Sequence, residues 1–279
     1  AHVYLKGVPK INYIKGKRVG KVGLNLVSGT DKDYLFKWDT IEGKKILILS
    51  IKKFPPFEDK IWDDLKMNFS HGLAKSKGLI MDLRDYGEGH KGGDNDPAFF
   101  IAKTLWGKRP ADPSDRFHIG TREALALSSR NLEDYKKRKK RTRRLLVYVD
   151  KSRYLNPKET SKKLGIRGYK YPIAILIDRY SLSSDEELVS VLRDHPKVHL
   201  VGQNTSGTYH FGNSRDLVLP NSRIKIKIST FFNKRRDGLF IEKVGFSPDI
   251  RLSDGVDAFA YVKKHWASLK MTGPSQNVP

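Results

Sequence analysis

The sequence predicts an α/β fold: a mixed sheet with helices on its faces, plus a small N-terminal β-rich lobe. Three observations predict it. Three apolar runs, "KILILSI" (45–51), "GLIMDLR" (78–84) and "YPIAILIDR" (171–179), read as strands buried on both faces. Helical segments separate them, which is the alternation of a parallel α/β unit. A chain of 279 residues, 38% of them hydrophobic, can fill a core, so disorder of the whole chain is excluded.

The elements follow in order. Residues 1–44 are basic and rich in Gly and β-branched residues, with alternation in "KVGLNLVS" and "DYLFKW" and turns at Gly29 and Gly43; they read as the separate lobe. The first buried strand (45–51) ends before Pro55-Pro56. Ile61, Leu65 and Phe69, spaced by four, with Trp62, predict an amphipathic helix over 59–75. The second buried strand (78–84) runs into a Gly-rich loop, and Ala98–Trp106 reads as helix. Residues 107–170 are polar, basic and weakly periodic, and read as an insertion with some helix. The third buried strand (171–179) is followed by a helix over 184–194 and a strand at 197–203. In "SRIKIKIS" (222–229), Ile224, Ile226 and Ile228 alternate with basic residues, predicting a half-exposed antiparallel strand. "VDAFAYVKKHWASL" predicts a C-terminal helix. The core thus spans 45–270, with 271–279 as a frayed tail.

Composition removes several function classes. There is no cysteine, hence no disulfide, thiolate metal site or cysteine nucleophile. No apolar run is long enough to predict a transmembrane helix. With 54 Lys+Arg against 31 Asp+Glu, the net charge is +23. Its densest block runs from Lys136 to Arg144, interrupted by Thr142 alone. Only Tyr135 and Tyr148 flank that block, so stacking on single-stranded nucleic acid is not favoured and a solvated basic face is the simpler expectation. Steering of acidic peptides, or peripheral contact with an anionic surface, is the functional alternative.

Two loop motifs carry little. "GEGHKG" (87–92) matches G-x-G-x-x-G, but the strand ends several residues earlier and the glycines cannot form a tight strand-to-helix turn over a pyrophosphate. Asp94, Asn95 and Asp96 with His90 lack the Gly and distal Glu of a calcium loop, so no metal site is expected. A third motif has two readings. In "SLSSDEELVSVL" Ser183 and Glu186 form a capping box that starts a helix. The same serine, on a sharp strand-to-helix turn, would also be an exposed nucleophile beside helix N–H groups able to hold an oxyanion.

A resemblance favours the second reading. "GLIMDLRDYGEG" resembles the D-L-R-x-N-G-G-G segment of the C-terminal processing (tail-specific) serine peptidases. "SLSSDEELVSVLRDHPKVHLVGQNTSGT" resembles their S-A-S-A-S-E helix, aspartate and V-G-x-x-T-x-G turn. "VGFSPDI" resembles their G-V-x-P-D-I. The three occur in family order over roughly 45–255. The resemblance implies a crotonase-like peptidase core; residues 1–44 are too few for the PDZ domain that many members carry. It implies peptide-bond hydrolysis without a cofactor, on peptide or protein substrates, and an extracellular or periplasmic place. The family also contains a non-proteolytic member, so two alternatives stay open: an inactive relative that binds peptide or a small ligand, and a basic adaptor for nucleic acid or anionic surfaces.

Site residues carry over one by one. Aligning Glu186 and Asp194 puts the nucleophile on Ser183, with Ser181 and Ser184 as neighbours to check. The oxyanion hole would use N–H groups of Gly87 or Gly89 and of Ser184. Thr208 stands where the Ser-Lys members carry their lysine, so the chain resembles instead the branch of tricorn-core and interphotoreceptor retinoid-binding proteins. Its Ser-His-Glu members place the glutamate at Glu242. The histidine is expected at His210, two residues beyond the lysine position and on the same face of a strand. His90 and His2 are the other candidates.

Overall fold

A computed structural model describes residues 33–54, 60–84, 95–107, 113–119, 147–149, 168–212 and 214–269. Its centre is a six-stranded sheet ordered β1-β2-β3-β6-β7-β12. The strands are β1 (Tyr34–Ile41), β2 (Lys44–Ile51), β3 (Leu79–Asp82), β6 (Ile173–Ile177), β7 (Val198–Gly202) and β12 (Ile250–Arg251). β2, β3, β6, β7 and β12 pair in parallel, and β1 closes one edge antiparallel to β2.

The apolar runs are continuous because alternate residues enter two different cores. Leu47, Leu49, Leu79, Met81, Ile173, Ile175 and Ile177 face the layer of α1 (Lys60–Lys75), α2 (Asn95–Trp106) and α3 (Ser184–Leu192). Ile46, Ile48, Ile80, Ala174, Leu176 and Val201 face α4 (Ala258–Lys264) and α5 (Trp266–Leu269). On α1 the buried stripe is Trp62, Leu65, Phe69 and Leu73, the three-to-four spacing of one helical face. The C-terminal helix is broken in two at His265, and Asp257 caps its start by accepting the Phe259 N–H at 2.9 Å.

One boundary moves. The expected limit of the N-terminal lobe at 44 falls inside a β-hairpin, since β1 pairs with β2 along its whole length and therefore belongs to the central sheet. As an edge strand it alternates buried Tyr34 and Phe36 with half-exposed Leu35 and Lys37, a pattern that a separate lobe would also show. Residues 1–32 lie outside the described residues.

The expected insertion also contributes to the fold. β4 (Ser114–Ile119) and β5 (Val147–Val149) join β11 (Phe231–Arg235) and β8 (Phe211–Gly212) in an antiparallel sheet ordered β5-β4-β11-β8. A polar network seats this sheet on α3. Arg116 donates to the Glu187 carboxylate and, through Nε at 2.8 Å, to Asn233 Oδ1; Asn233 Nδ2 donates to Glu187 at 3.1 Å. The strand expected at 222–229 is β10 (Lys225–Ile228), antiparallel to β9 (Arg215–Val218), but it is not half-buried: Ile224 and Ile226 are exposed along with the basic residues between them, because among the described residues this hairpin packs no face on a core. The basic block 136–144 and the tail 271–279 lie outside the described residues. Among the described residues no helix is long and apolar enough to cross a membrane.

Candidate active site

The loop from β6 to α3 turns sharply because its polar groups are satisfied internally. Asp178 Oδ1 accepts the N–H groups of Tyr180 (2.8 Å) and Ser181 (3.1 Å), an Asx-type turn. Ser181 is fully buried, and its hydroxyl donates to the Leu83 carbonyl at 2.9 Å, which ties the loop to the exit of β3. Ser184 is buried as well. Between them Ser183 is exposed, with φ 56° and ψ −104°.

A non-glycine residue with positive φ is strained, by about 1–3 kcal/mol, and persists only where its surroundings hold it. Here the holding bonds are identifiable. The Ser183 N–H donates to Thr208 Oγ1 at 3.1 Å, and the Leu182 N–H donates to Asp185 Oδ2 at 3.0 Å. The Ser183 hydroxyl makes no hydrogen bond among the described residues, although Ser183 occupies the N-cap position. The capping box is therefore not formed: the serine side chain faces outward and does not bend back onto its helix.

Glu186, the other half of that box, reaches across to the 205–208 turn. Its Oε1 accepts from the Thr205 hydroxyl (2.6 Å) and the Gly207 N–H (2.7 Å); its Oε2 accepts from the Thr208 N–H (2.8 Å) and hydroxyl (3.0 Å). Burial pushes the Glu186 carboxyl above the ordinary range, and these four donors oppose that shift. The neighbouring Asp185 is also pushed well up, first by burial, with the charges of Glu186 and Asp178 adding to it. The turn is held from its far side by the 241–246 loop. Lys243 N–H donates to the Gly207 carbonyl at 2.8 Å, and Phe246 N–H donates to Thr205 Oγ1 at 2.7 Å. Gly207 has φ +75°, and a Cβ there would lie 2.6 Å from the Lys243 nitrogen, so only glycine fits this crossing.

His210 and Glu242 do not form the arrangement expected of them. The His210 ring is buried, between Phe240 with a 4.4 Å centroid separation and Phe232 at 5.8 Å. Its Nε2 accepts the Ile241 N–H at 2.9 Å, so the proton sits on Nδ1, which donates to the Asn233 carbonyl at 2.6 Å. Neither nitrogen can take the serine proton without abandoning a buried backbone partner. The assignment of His210 as base is corrected accordingly: it staples β11 to the 241–246 loop. Glu242, half-buried, accepts the His210 backbone N–H at 3.1 Å and does not orient the imidazole.

Residues 45–252 match the sequence model of Peptidase family S41. The chain belongs to peptidase family S41. Among curated proteins none matches it significantly. Its fold is similar to that of mature CPAF complexed with lactacystin, at 17% identity and TM-score 0.58, over 88% of this chain and 55% of that one. It is also similar to a lipoprotein from Streptococcus agalactiae (16%, TM-score 0.53, 86% and 70%). A third similar structure is the photosystem II D1 C-terminal processing protease (15%, TM-score 0.50, 82% and 50%). The chain spans about half the length of the first and third of these.

Within this S41 fold the predicted positions are placed unequally. Ser183 and Ser184 stand at the elbow and at the first position of α3. Gly87, Gly89, His90 and His2 lie outside the described residues. The structure places the mouth of the Gly-rich loop: Asp82 is buried, its carboxylate receives the Arg84 guanidinium on both oxygens at 2.9 Å, and Leu83 N–H donates to the Leu176 carbonyl. Thr208 is the functional residue that sequence reasoning misses. In the sequence it is only the place of an absent lysine; in the structure its hydroxyl accepts from the Ser183 N–H and donates to Glu186, linking the elbow and the turn. The T-x-G-T spacing behind Glu186 is the available signal. Among the described residues no cluster of three or more His, Asp or Glu is placed to hold a metal ion.

Proposed function

We propose that this S41 chain is a serine peptidase that hydrolyses peptide bonds by acyl transfer through Ser183. The observation that carries the proposal is the elbow: an exposed serine in a strained conformation, with an unengaged hydroxyl, at the start of a helix. Ser183 Oγ attacks the scissile carbonyl, and an acyl-enzyme forms as the amine leaves; water then releases the acid. The Ser184 N–H and an N–H of Gly87 or Gly89 bind the oxyanion, each donor worth about 3–4 kcal/mol. Since His210 is committed to the backbone, the base role passes to His90 or His2, the two other candidates named from the sequence. Glu242, bound to the same 207–210 stretch that holds Ser183, is the carboxylate for orienting it.

The test compares the full chain with Ser183→Ala, His90→Ala and His2→Ala on a fluorescent casein substrate. Turnover should fall about 10³-fold or more in Ser183→Ala and in one histidine variant only. Equal turnover in wild type and Ser183→Ala would refute the assignment.

A further inference from the structure

A cleft adjoins the elbow loop at the C-terminal ends of β6, β7 and β12. Its volume is about 480 Å³. Its walls belong to the segments that build the site: Arg179 from the loop carrying Ser183, Gln203 and Asn204 from the stretch leading to Thr208, and Lys243 beside Glu242; Arg251 and Asp254 follow from β12. The cleft is tied to the elbow loop and to the 205–208 turn, because Ser206 N–H donates to the Ser181 carbonyl at 2.9 Å and Lys243 N–H to the Gly207 carbonyl at 2.8 Å.

The charges in this cleft are unbalanced. Arg179, Lys243 and Arg251 are exposed and, among the described residues, none of them forms an ion pair. The one carboxylate in the lining, Asp254, is bonded by the Gln203 amide. Arg251 is fixed by Asn204 Oδ1, which accepts from its Nη2 at 2.6 Å and leaves the rest of the guanidinium fork for a ligand. Other arginines near the site are matched: Arg84 to Asp82, Arg116 to Glu187, Arg235 to Asp237. Three cations around a concave surface, one of them a pre-oriented guanidinium, suit a carboxylate.

We propose that this cleft is a specificity subsite that takes the carboxylate of an acidic side chain of the peptide substrate. The inference rests on the serine peptidase reading, and it names the substrate class of that site. A peptide held at Ser183 passes over the Gly207–Lys243 contact and places its acidic side chain between Arg179 and Arg251. This assigns the recognition of acidic substrates to built residues of the core and not to the basic block at 136–144.

The test uses full-length Ser183→Ala and fluorescein-labelled peptides read by anisotropy. One peptide carries two central Glu, and its counterparts carry Gln or Lys, all with amidated C termini; a fourth is the Gln peptide with a free C terminus. The Glu peptide should bind about tenfold tighter than the Gln peptide, with a preference that shrinks as salt rises. Arg179→Gln with Arg251→Gln should bring the ratio near one, and Arg179→Glu with Arg251→Glu should turn the preference to the Lys peptide, an inversion that misfolding cannot produce. If only the free C terminus restores tight binding, the cleft reads the chain end and not an acidic side chain, which also overturns the proposal. Equal binding of Glu and Gln peptides overturns the proposal. So does a preference that survives both cleft variants and vanishes when Lys136 to Arg144 are neutralised. Fluorophosphonate labelling of the wild type, run alongside, separates the two readings: no label with the acidic preference intact removes the peptidase and keeps the cleft.

Discussion

Ser183 and His210 are both expected from the sequence to be reactive, and their surroundings differ in one respect. At Ser183 the backbone is fully engaged and the side chain is not: the N–H goes to Thr208, the carbonyl receives the Glu187 N–H at 3.0 Å, and the hydroxyl faces outward. At His210 the side chain itself is consumed, one ring nitrogen donating to Asn233 and the other accepting from Ile241. A polar residue becomes available for chemistry when the scaffold positions it through its main chain. It becomes structural when its side chain completes the hydrogen bonds of other segments.

The sharpest way to break that contrast is Ser183→Gly. Hydrolysis should fall about 10³-fold or more, while glycine, at ease with positive φ, should raise stability by about 1 kcal/mol. Kinetics and urea unfolding read the two effects separately; a loss of stability would mean that Ser183 is not strained. Next in size is Glu186→Ala, which leaves four donors of the 205–208 turn without their acceptor and should cost about 2–4 kcal/mol. Acylation should slow with it, since Thr208 then loses its anchor. His210→Gln keeps a donor and an acceptor on a shorter fork and should cost about 1–3 kcal/mol, with the pH profile of acylation unmoved. A shifted profile would restore His210 to the chemistry.

The smallest effect is a pH dependence. Burial raises the Asp185 carboxyl in the folded chain, so the folded state holds that proton more tightly than the unfolded one. The contribution is present below the ordinary carboxylate pKa of about 4 and is lost as pH rises through the raised folded value. An asparagine side chain at this position titrates no such proton. Asp185→Asn should therefore gain a few degrees of Tm over wild type near neutrality and none near pH 4 (roughly the ordinary carboxylate pKa), a trend that a pH series of thermal melts can check.

Much of this contrast is legible in the sequence and part of it is not. The buried strands are visible because parallel strands covered on both faces must be apolar at every position, as in "KILILSI". The elbow is visible because "SLSSDEELVSVL" follows such a strand directly. β1 is misplaced because edge-strand alternation looks the same in a lobe and at a sheet margin. The fate of His210 depends on Asn233 and Ile241, which are 23 and 31 residues away, and no local pattern reports such a partner. Glu186 is legible as one half of a motif but uses its carboxylate elsewhere. The Arg116–Glu187–Asn233 network is invisible for the same reason, since polar residues at strand positions read as surface until their partners are known.

The central claim is that Ser183 is the reactive group and His210 is not. Fluorophosphonate labelling followed by peptide mapping tests it most directly. The expected result is one modified residue, Ser183, in wild type and in His210→Gln, and no label in Ser183→Ala. A label on Ser181 or Ser184, or a wild type that takes no label from pH 6 to 9 (roughly the range over which a histidine base loses its proton), would contradict it.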